Sequence, residues 1–211
     1  MPSASVDFRL YLIADRRRLQ GRPLVSALQA AAQAGVRVLQ LREKELTPRE
    51  LYALAQEVQG VLTPLGARLL LNDRVDVACA TGVAGVHLTT TSLSPTAARR
   101  CLAAEALVGV STHTLAEARF AEASGADFLT FGPVYATPSK AAYGAPRGLE
   151  ALGAICAAVA LPVFALGGVT PARVPECMAA GAHGVAAIGA LLDVPDIAAA
   201  VAAFAAALGS L

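Results

Sequence analysis

Val163-Phe164-Ala165-Leu166-Gly167-Gly168, followed by Thr170-Pro171, Ala180-Gly181 and Val185-Ala186-Ala187-Ile188-Gly189-Ala190, spells out a repeating unit within the last third of the chain. A short apolar run ends in glycine. A hydroxyl and a proline then open a helix, an Ala-Gly pair closes it, and a second apolar run ends in glycine again. The runs are continuous rather than alternating, the pattern of parallel strands covered on both faces. Threonine before a first-turn proline suits a helix start, and glycine after the last turn suits its left-handed end.

Read outward from there, the same rhythm fills the chain. Further strands are expected at Arg9–Ala14, Val36–Leu41, Arg68–Leu71, Gly85–Leu88, Leu107–Val110 and Phe128–Phe131, ahead of Val163–Leu166 and Val185–Ile188. Helices are expected at about 24–34, 48–62, 74–81, 94–103, 114–124, 148–159, 171–180 and 196–208. Thr47-Pro48 and Ser94-Pro95 repeat the helix start, and Ala34-Gly35 and Ser124-Gly125 repeat the stop. Eight βα units with right-handed crossovers close into a (β/α)8 barrel, an α/β fold spanning residues 1–211 as one domain. An open doubly wound sheet is the alternative; eight repeats and no second domain favour closure.

Composition agrees with a large core: 55% of the 211 residues are hydrophobic and 16% charged, so disorder is excluded as the overall state. A formal net charge of +1 gives no general field for nucleic acid or a membrane surface, so neither is expected as a partner. Cys79, Cys101, Cys156 and Cys177 form no Cys-x-x-Cys pair, which argues against a disulfide framework or a zinc site. Met1 to Val6 lack the features of a signal peptide, and the apolar stretch Ile197–Leu208 is too short to span a bilayer. A soluble, cytoplasmic protein is expected.

In a barrel, chemistry sits at the C-terminal ends of the strands. There the sequence places Gln40-Leu41-Arg42-Glu43-Lys44, Asn72-Asp73-Arg74, Thr89 to Ser92, Ser111-Thr112-His113, and the long segment Gly132–Arg147. Gly167-Gly168 and Gly189-Ala190 end strands seven and eight, where small residues let backbone N–H groups approach an anion. Both could be plain turns; Thr137, Ser139 and Lys140 add hydroxyls and a cation that favour phosphate. Arg42 and Lys44 form either a solvated charge run or, beside Asn72, Asp73 and Lys140, a second anionic site. Asp73 has two readings, a Mg²⁺ ligand beside phosphate or an ion-pair partner for Arg42 or Lys44. His113 is the proton-transfer candidate. His87, between Val86 and Leu88, reads as packing or hydrogen bonding. His183 falls at the opposite barrel end, and Tyr135 and Tyr143 either stack on a ring or line the long loop.

Tyr11–Arg16, Gln40–Lys44, Asn72-Asp73-Arg74, Gly85–Leu88, Ser111–His113, Gly132–Lys140 and Gly167-Gly168 together resemble the thiamine phosphate synthase superfamily over nearly the whole chain. That superfamily holds synthases, which join a pyrimidine methyl diphosphate to a thiazole phosphate, and TenI-type thiazole tautomerases, which aromatise the thiazole. The resemblance implies a pyrimidine diphosphate site at Gln40, Arg42, Lys44, Asn72, Ser111 and Lys140. It implies a thiazole phosphate site at Thr137, Ser139, Gly168, Ile188 and Gly189, and a Mg²⁺ ligand at Asp73. His113 matches the histidine that moves the proton in the tautomerases. A homo-oligomer is also implied.

The sequence departs from the synthase pattern after His87-Leu88. A Gly-Gln segment and a second metal-binding aspartate are expected, but Thr89-Thr90-Thr91-Ser92 stands there, with Ser92 at the aspartate position. A neutral hydroxyl supplies no charge to hold Mg²⁺. Gly189 also replaces the usual serine near strand eight. A thiazole tautomerase, which needs no metal, is therefore the favoured expectation. The alternatives are a Mg²⁺-dependent thiamine phosphate synthase that releases diphosphate, and a non-catalytic protein retaining the phosphate pocket.

Overall fold

The computed structural model describes residues 6–137 and 145–209. Strands β1 (Leu10–Ala14), β2 (Val38–Leu41), β3 (Arg68–Asn72), β4 (Gly85–Leu88), β5 (Leu107–Thr112), β6 (Phe128–Phe131), β7 (Val163–Leu166) and β8 (Gly184–Ala187) pair in chain order, all parallel, as a closed barrel. Closure is made by β1 against β8, with Leu10 opposite Val185 and Leu12 opposite Ala187. The described α-helices are α1 (Leu24–Gln33), α2 (Pro48–Leu62), α3 (Val75–Thr81), α4 (Pro95–Arg99), α5 (Leu115–Ala123), α6 (Gly148–Ala158), α7 (Val174–Ala179), α8 (Gly189–Leu192) and α9 (Ile197–Leu208), with short 3₁₀ turns between some of them. None is long and apolar enough to cross a membrane.

Several boundaries follow from the local chemistry already visible in the sequence. Thr47 caps α2 by accepting from the Glu50 N–H at 3.3 Å, and the Glu50 carboxylate accepts in return from the Thr47 N–H at 2.8 Å. Ser94 Oγ accepts from the Ala97 N–H at the start of α4. Gly35, Gly125 and Gly181 all have positive φ just past their helices, as a glycine stop requires.

Three expectations need correction. The helix expected over 94–103 stops at Arg99, because the next turn tightens into bonds from Arg100 N to Ala97 O and from Cys101 N to Ala98 O. The helix expected over 171–180 is a 3₁₀ turn, Pro171–Arg173, leading into α7; Thr170 makes no side-chain cap. Strand eight begins and ends one residue early, so Ile188 leaves the sheet and caps the four-residue helix α8, whose apolar run is too short to carry a period.

Alternation along the strands divides the core in two. Leu10, Leu12, Leu39, Leu41, Leu69, Leu71, Val86, Leu88, Val108, Leu129, Phe131 and Val185 point outward and pack under the helices. Phe8, Tyr11, Ile13, Val38, Leu70, Leu107, Phe128, Phe164 and Ala186 fill the barrel interior. Phe8, fully buried, closes the N-terminal end: its ring stacks on Phe164 at 4.9 Å and meets Phe128 edge-on at 5.5 Å. Gly109 has no side chain because Phe128 and His87 occupy that space; a Cβ there would lie 2.3 Å from the Phe128 ring. The barrel is a packed core up to the level of His87, and the open volume lies above it.

Candidate active site

Two cavities open at the C-terminal ends of the strands. One, of about 400 Å³, is lined by Thr137, Gly167, Gly168, Ile188 and Gly189, with Arg18, Arg173 and Asp193 at its edge. The other, of about 940 Å³, is lined by Gln40, Arg42, Lys44, Asn72, Ser111 and His113, with Arg17, Arg18 and Thr89–Thr91 around them. They adjoin one another, since Arg18, Leu166 and Ile188 line both. The residues expected for a thiazole phosphate and those expected for a pyrimidine diphosphate thus sort into neighbouring compartments. Ser139, Lys140 and Tyr143 lie outside the described residues. Asp73 and Ser92 line neither cavity. A further cavity of about 760 Å³, at the N-terminal ends of β3 to β5, is bordered by Gln59, Arg68, Cys79 and Glu105 and brings together none of the expected site residues.

The glycine-lined cavity exists because the segment after β6 lies directly on the end of β7. Val134 N–H donates to the Leu166 carbonyl and Tyr135 N–H to the Gly167 carbonyl, both at 2.9 Å. A Cβ at Gly168 would sit 2.7 Å from the Ala136 carbonyl, and at φ +66° the backbone itself favours glycine. Arg173 braces the junction, donating to the Gly168 carbonyl at 2.7 Å while its guanidinium covers the Tyr135 ring at 4.5 Å. Tyr135 donates its hydroxyl to Glu176 at 3.0 Å. It therefore lines neither cavity and is a fastener for the segment carrying Thr137.

The wide cavity is edged by cations held in place by carboxylates. Arg42 pairs with Asp15 at 3.2 Å, and Arg17 with Asp15 at 3.1 Å and Glu45 at 3.2 Å. Arg16 pairs with the buried Glu43. Burial pushes the Asp15 carboxyl upward, but hydrogen bonds from Arg17 and the charges of Arg17 and Arg42 outweigh it, and the net shift is downward. Of the two readings of Asp73, the ion pair with Arg42 is not formed; Arg42 pairs with Asp15, just after β1, instead.

Beneath this cavity runs a buried polar layer. Gln40 Nε2 donates to the Tyr11 hydroxyl at 3.0 Å, and that hydroxyl lies 3.3 Å from His87 Nδ1. His87 Nε2 is 3.0 Å from Ser111 Oγ, which also accepts from the Thr130 hydroxyl at 3.3 Å. Burial lowers the His87 pKa from 6.5 to about 3, so the ring is neutral and carries one proton. With the Gln40 amide donating to Tyr11, Tyr11 gives its own proton to Nδ1, which puts the imidazole proton on Nε2, directed at Ser111. Ser111 thereby accepts from below and has its own O–H left for whatever occupies the cavity.

His113 follows β5 and immediately precedes α5. The capping box of Thr114 and Glu117 starts that helix, and the Glu117 carboxylate also accepts from the His113 N–H at 2.6 Å. The side chain is fixed separately: Nδ1 lies 2.5 Å from the Gly132 carbonyl, which can only accept, so Nδ1 bears a proton. In the neutral ring Nε2 is left as the basic nitrogen. The same carbonyl belongs to the segment that forms the glycine-lined cavity, so His113 is tied to both compartments.

Asp15 lines the wide cavity but is paired with Arg17 and Arg42, and Asp73, the carboxylate implied for Mg²⁺, lines neither cavity. Asp73 adopts φ +65° at the end of β3, with its N–H donating to the His87 carbonyl at 2.9 Å. Ser92 Oγ accepts from the Thr89 N–H at 2.8 Å and lies 2.9 Å from the Thr89 hydroxyl, closing its own turn. Among the described residues no group of three His, Cys, Asp or Glu side chains could hold an ion. Any Mg²⁺ would rest on Asp73, next to Asn72 of the wide cavity, with its remaining oxygens from a diphosphate and water.

Residues 11, 87, 130, 17, 18 and 173 take part in the mouth or its supports without having been singled out for the site. Strand parity could have found part of this set: Asn72 pairs with His87 and Ser111 with Thr130 across the sheet, so all share the inner face. The arginines carry no such signal, because they lie on turns whose direction only the fold sets.

Comparison with known proteins places the chain in a family. The family profile described as "Thiamine monophosphate synthase" matches residues 10–191. A Geobacter sulfurreducens protein named "Putative thiamine-phosphate synthase" is 51% identical over 193 residues, covering 92% of this chain and 91% of the relative. A "Thiamine-phosphate synthase" from Syntrophomonas wolfei is 41% identical over 191 residues, covering 90% and 91%. The solved structure of the thiamine phosphate pyrophosphorylase of Pyrococcus furiosus superposes with a TM-score of 0.86 at 31% identity, covering 95% of each chain.

Proposed function

Because the chain belongs to the thiamine monophosphate synthase family, we propose that it couples a hydroxymethylpyrimidine diphosphate to a thiazole phosphate, releasing diphosphate. The observation that carries this reading is the pair of adjoining cavities, 400 and 940 Å³, meeting at Arg18, Leu166 and Ile188. A reaction on one thiazole phosphate needs one phosphate compartment. The second compartment, with Gln40, Arg42, Lys44, Asn72 and Ser111 on its walls, suits a second, heterocyclic substrate bearing more negative charge. The names of the relatives at 41% identity and above support the same side. They weigh against the tautomerase that Ser92 favours in the sequence.

In this reading the Ser111 O–H donates to an acceptor on the pyrimidine ring. Arg42 and Lys44 hold the diphosphate and stabilise the charge that grows on it as the methylene C–O bond breaks. The thiazole nitrogen supplies the electron pair for the new C–N bond. Its phosphate is held by Thr137, Gly168 and the backbone at Ile188–Gly189. Asp73 would hold Mg²⁺, whose positive charge would further stabilise the departing diphosphate.

Two observations favour the tautomerase as the second reading: Ser92 offers no second carboxylate beside Asp73, and His113 is held by Gly132 in the form a general base requires. Both substrates, supplied with and without Mg²⁺, separate the two. Release of diphosphate together with formation of thiamine phosphate, stimulated by Mg²⁺, is expected. Aromatisation of the thiazole without coupling, reduced roughly 10²–10⁴-fold in His113→Ala, would overturn the synthase reading.

A further inference from the structure

The Arg18–Asp193 ion pair stands at the boundary between the two cavities, and neither residue has a place in the site as read from sequence. Arg18 lies on the turn after β1 and is the one described cation that lines both compartments. Its guanidinium is 3.2 Å from the Asp193 carboxylate, and each side chain retains about a third of its exposure. Asp193 ends α8, and its N–H donates to the Gly189 carbonyl at 2.8 Å. Its carboxylate folds back over Gly189 so closely that a Cβ on that residue would lie 2.6 Å from Oδ2. A carboxylate therefore sits against the same backbone to which a phosphate is assigned above.

Two like charges do not share such a place without a cation between them, and Arg18 is positioned to serve either. We propose that Arg18 is a phosphate ligand shared by the two compartments, and that Asp193 is a competing internal anion which holds Arg18 until phosphate displaces it. The exchange is feasible because both side chains are solvated on one side: Arg18 passes from carboxylate to phosphate while Asp193 turns outward to water. The absence of a side chain at Gly189 leaves room for the competitor. Asp193 thus sets the affinity of the glycine-lined cavity below what its donors alone would give. The inference rests on the reading of that cavity as a phosphate site.

Calorimetric titration of the full chain with thiazole phosphate and, separately, with inorganic phosphate tests it. Asp193→Asn keeps the size of the side chain and removes its charge; it should tighten both ligands roughly three- to fivefold. Arg18→Ala should weaken both about tenfold or more, with a shallower dependence on salt. Unchanged or weaker binding in Asp193→Asn, or unchanged binding in Arg18→Ala, would overturn the proposal. Should inorganic phosphate follow this pattern while thiazole phosphate does not bind, the exchange stands and the proposed substrate falls. If neither ligand binds, both fall.

Discussion

His87 illustrates how a single buried side chain ties stability to pH. The unfolded chain takes up a proton on this residue near its ordinary pKa of 6.5, whereas the folded protein does so only at about 3. Stability is therefore fully present above this window and falls by about 1.4 kcal/mol per pH unit as pH drops through it. Asp15 acts lower down: its folded-state pKa is depressed, so its contribution is present above the ordinary carboxylate value and is lost as pH falls through the folded one. Urea unfolding of His87→Gln across this range should give a slope with pH that is shallower by about 1.4 kcal/mol per unit. An unchanged slope would assign the acid sensitivity to other groups. At this scale the sequence marks His113 correctly as a residue of the mouth but leaves the tautomer open. Only the Gly132 carbonyl, 19 residues away, fixes which nitrogen carries the proton.

At the scale of elements, helix α5 does more than cover the barrel. Its Thr114–Glu117 capping box is a local motif, and the expected start at 114 comes within a residue of the observed one. The same Glu117 carboxylate holds the His113 N–H, so a device for starting a helix also fixes the backbone of a residue that lines the wide cavity. Glu117→Ala should cost about 1 kcal/mol in thermal unfolding, and in the tautomerase reading it should also lower turnover more than it raises KM. Loss of stability with unchanged kinetics would limit Glu117 to capping. Helix α8 gives the opposite case. Four residues carry no period, yet their position decides that Ile188, Gly189 and Asp193 meet at one cavity. Local sequence does not encode that meeting, because it depends on strand eight ending at Ala187 beside the β7 end.

For the whole molecule, the N-terminal plug and the open mouth are independent ends of one packed cylinder. Phe8→Ala would empty the aromatic cluster around Phe128 and Phe164 and should cost about 3–5 kcal/mol. The affinity for either substrate measured well below the new melting temperature should stay the same, since Tyr11, His87 and Ser111 still separate the plug from the cavity. Weakened substrate binding would show that the plug supports the mouth through the interior layer. The sequence by itself determined the eight-unit barrel, because strand period, helix caps and glycine stops are local and repeat in order. It also placed Gln40, Arg42, Lys44, Asn72, Ser111 and His113 at the strand ends, since that follows from topology alone. The division of those residues into two compartments, the pairing of Arg42 with Asp15, the closure of Ser92 on its own turn and the meeting of Arg18 with Asp193 were decided by tertiary structure. Each is a contact between turns or strand ends remote in sequence or free to rotate, where direction is set by packing and charge rather than by any period along the chain.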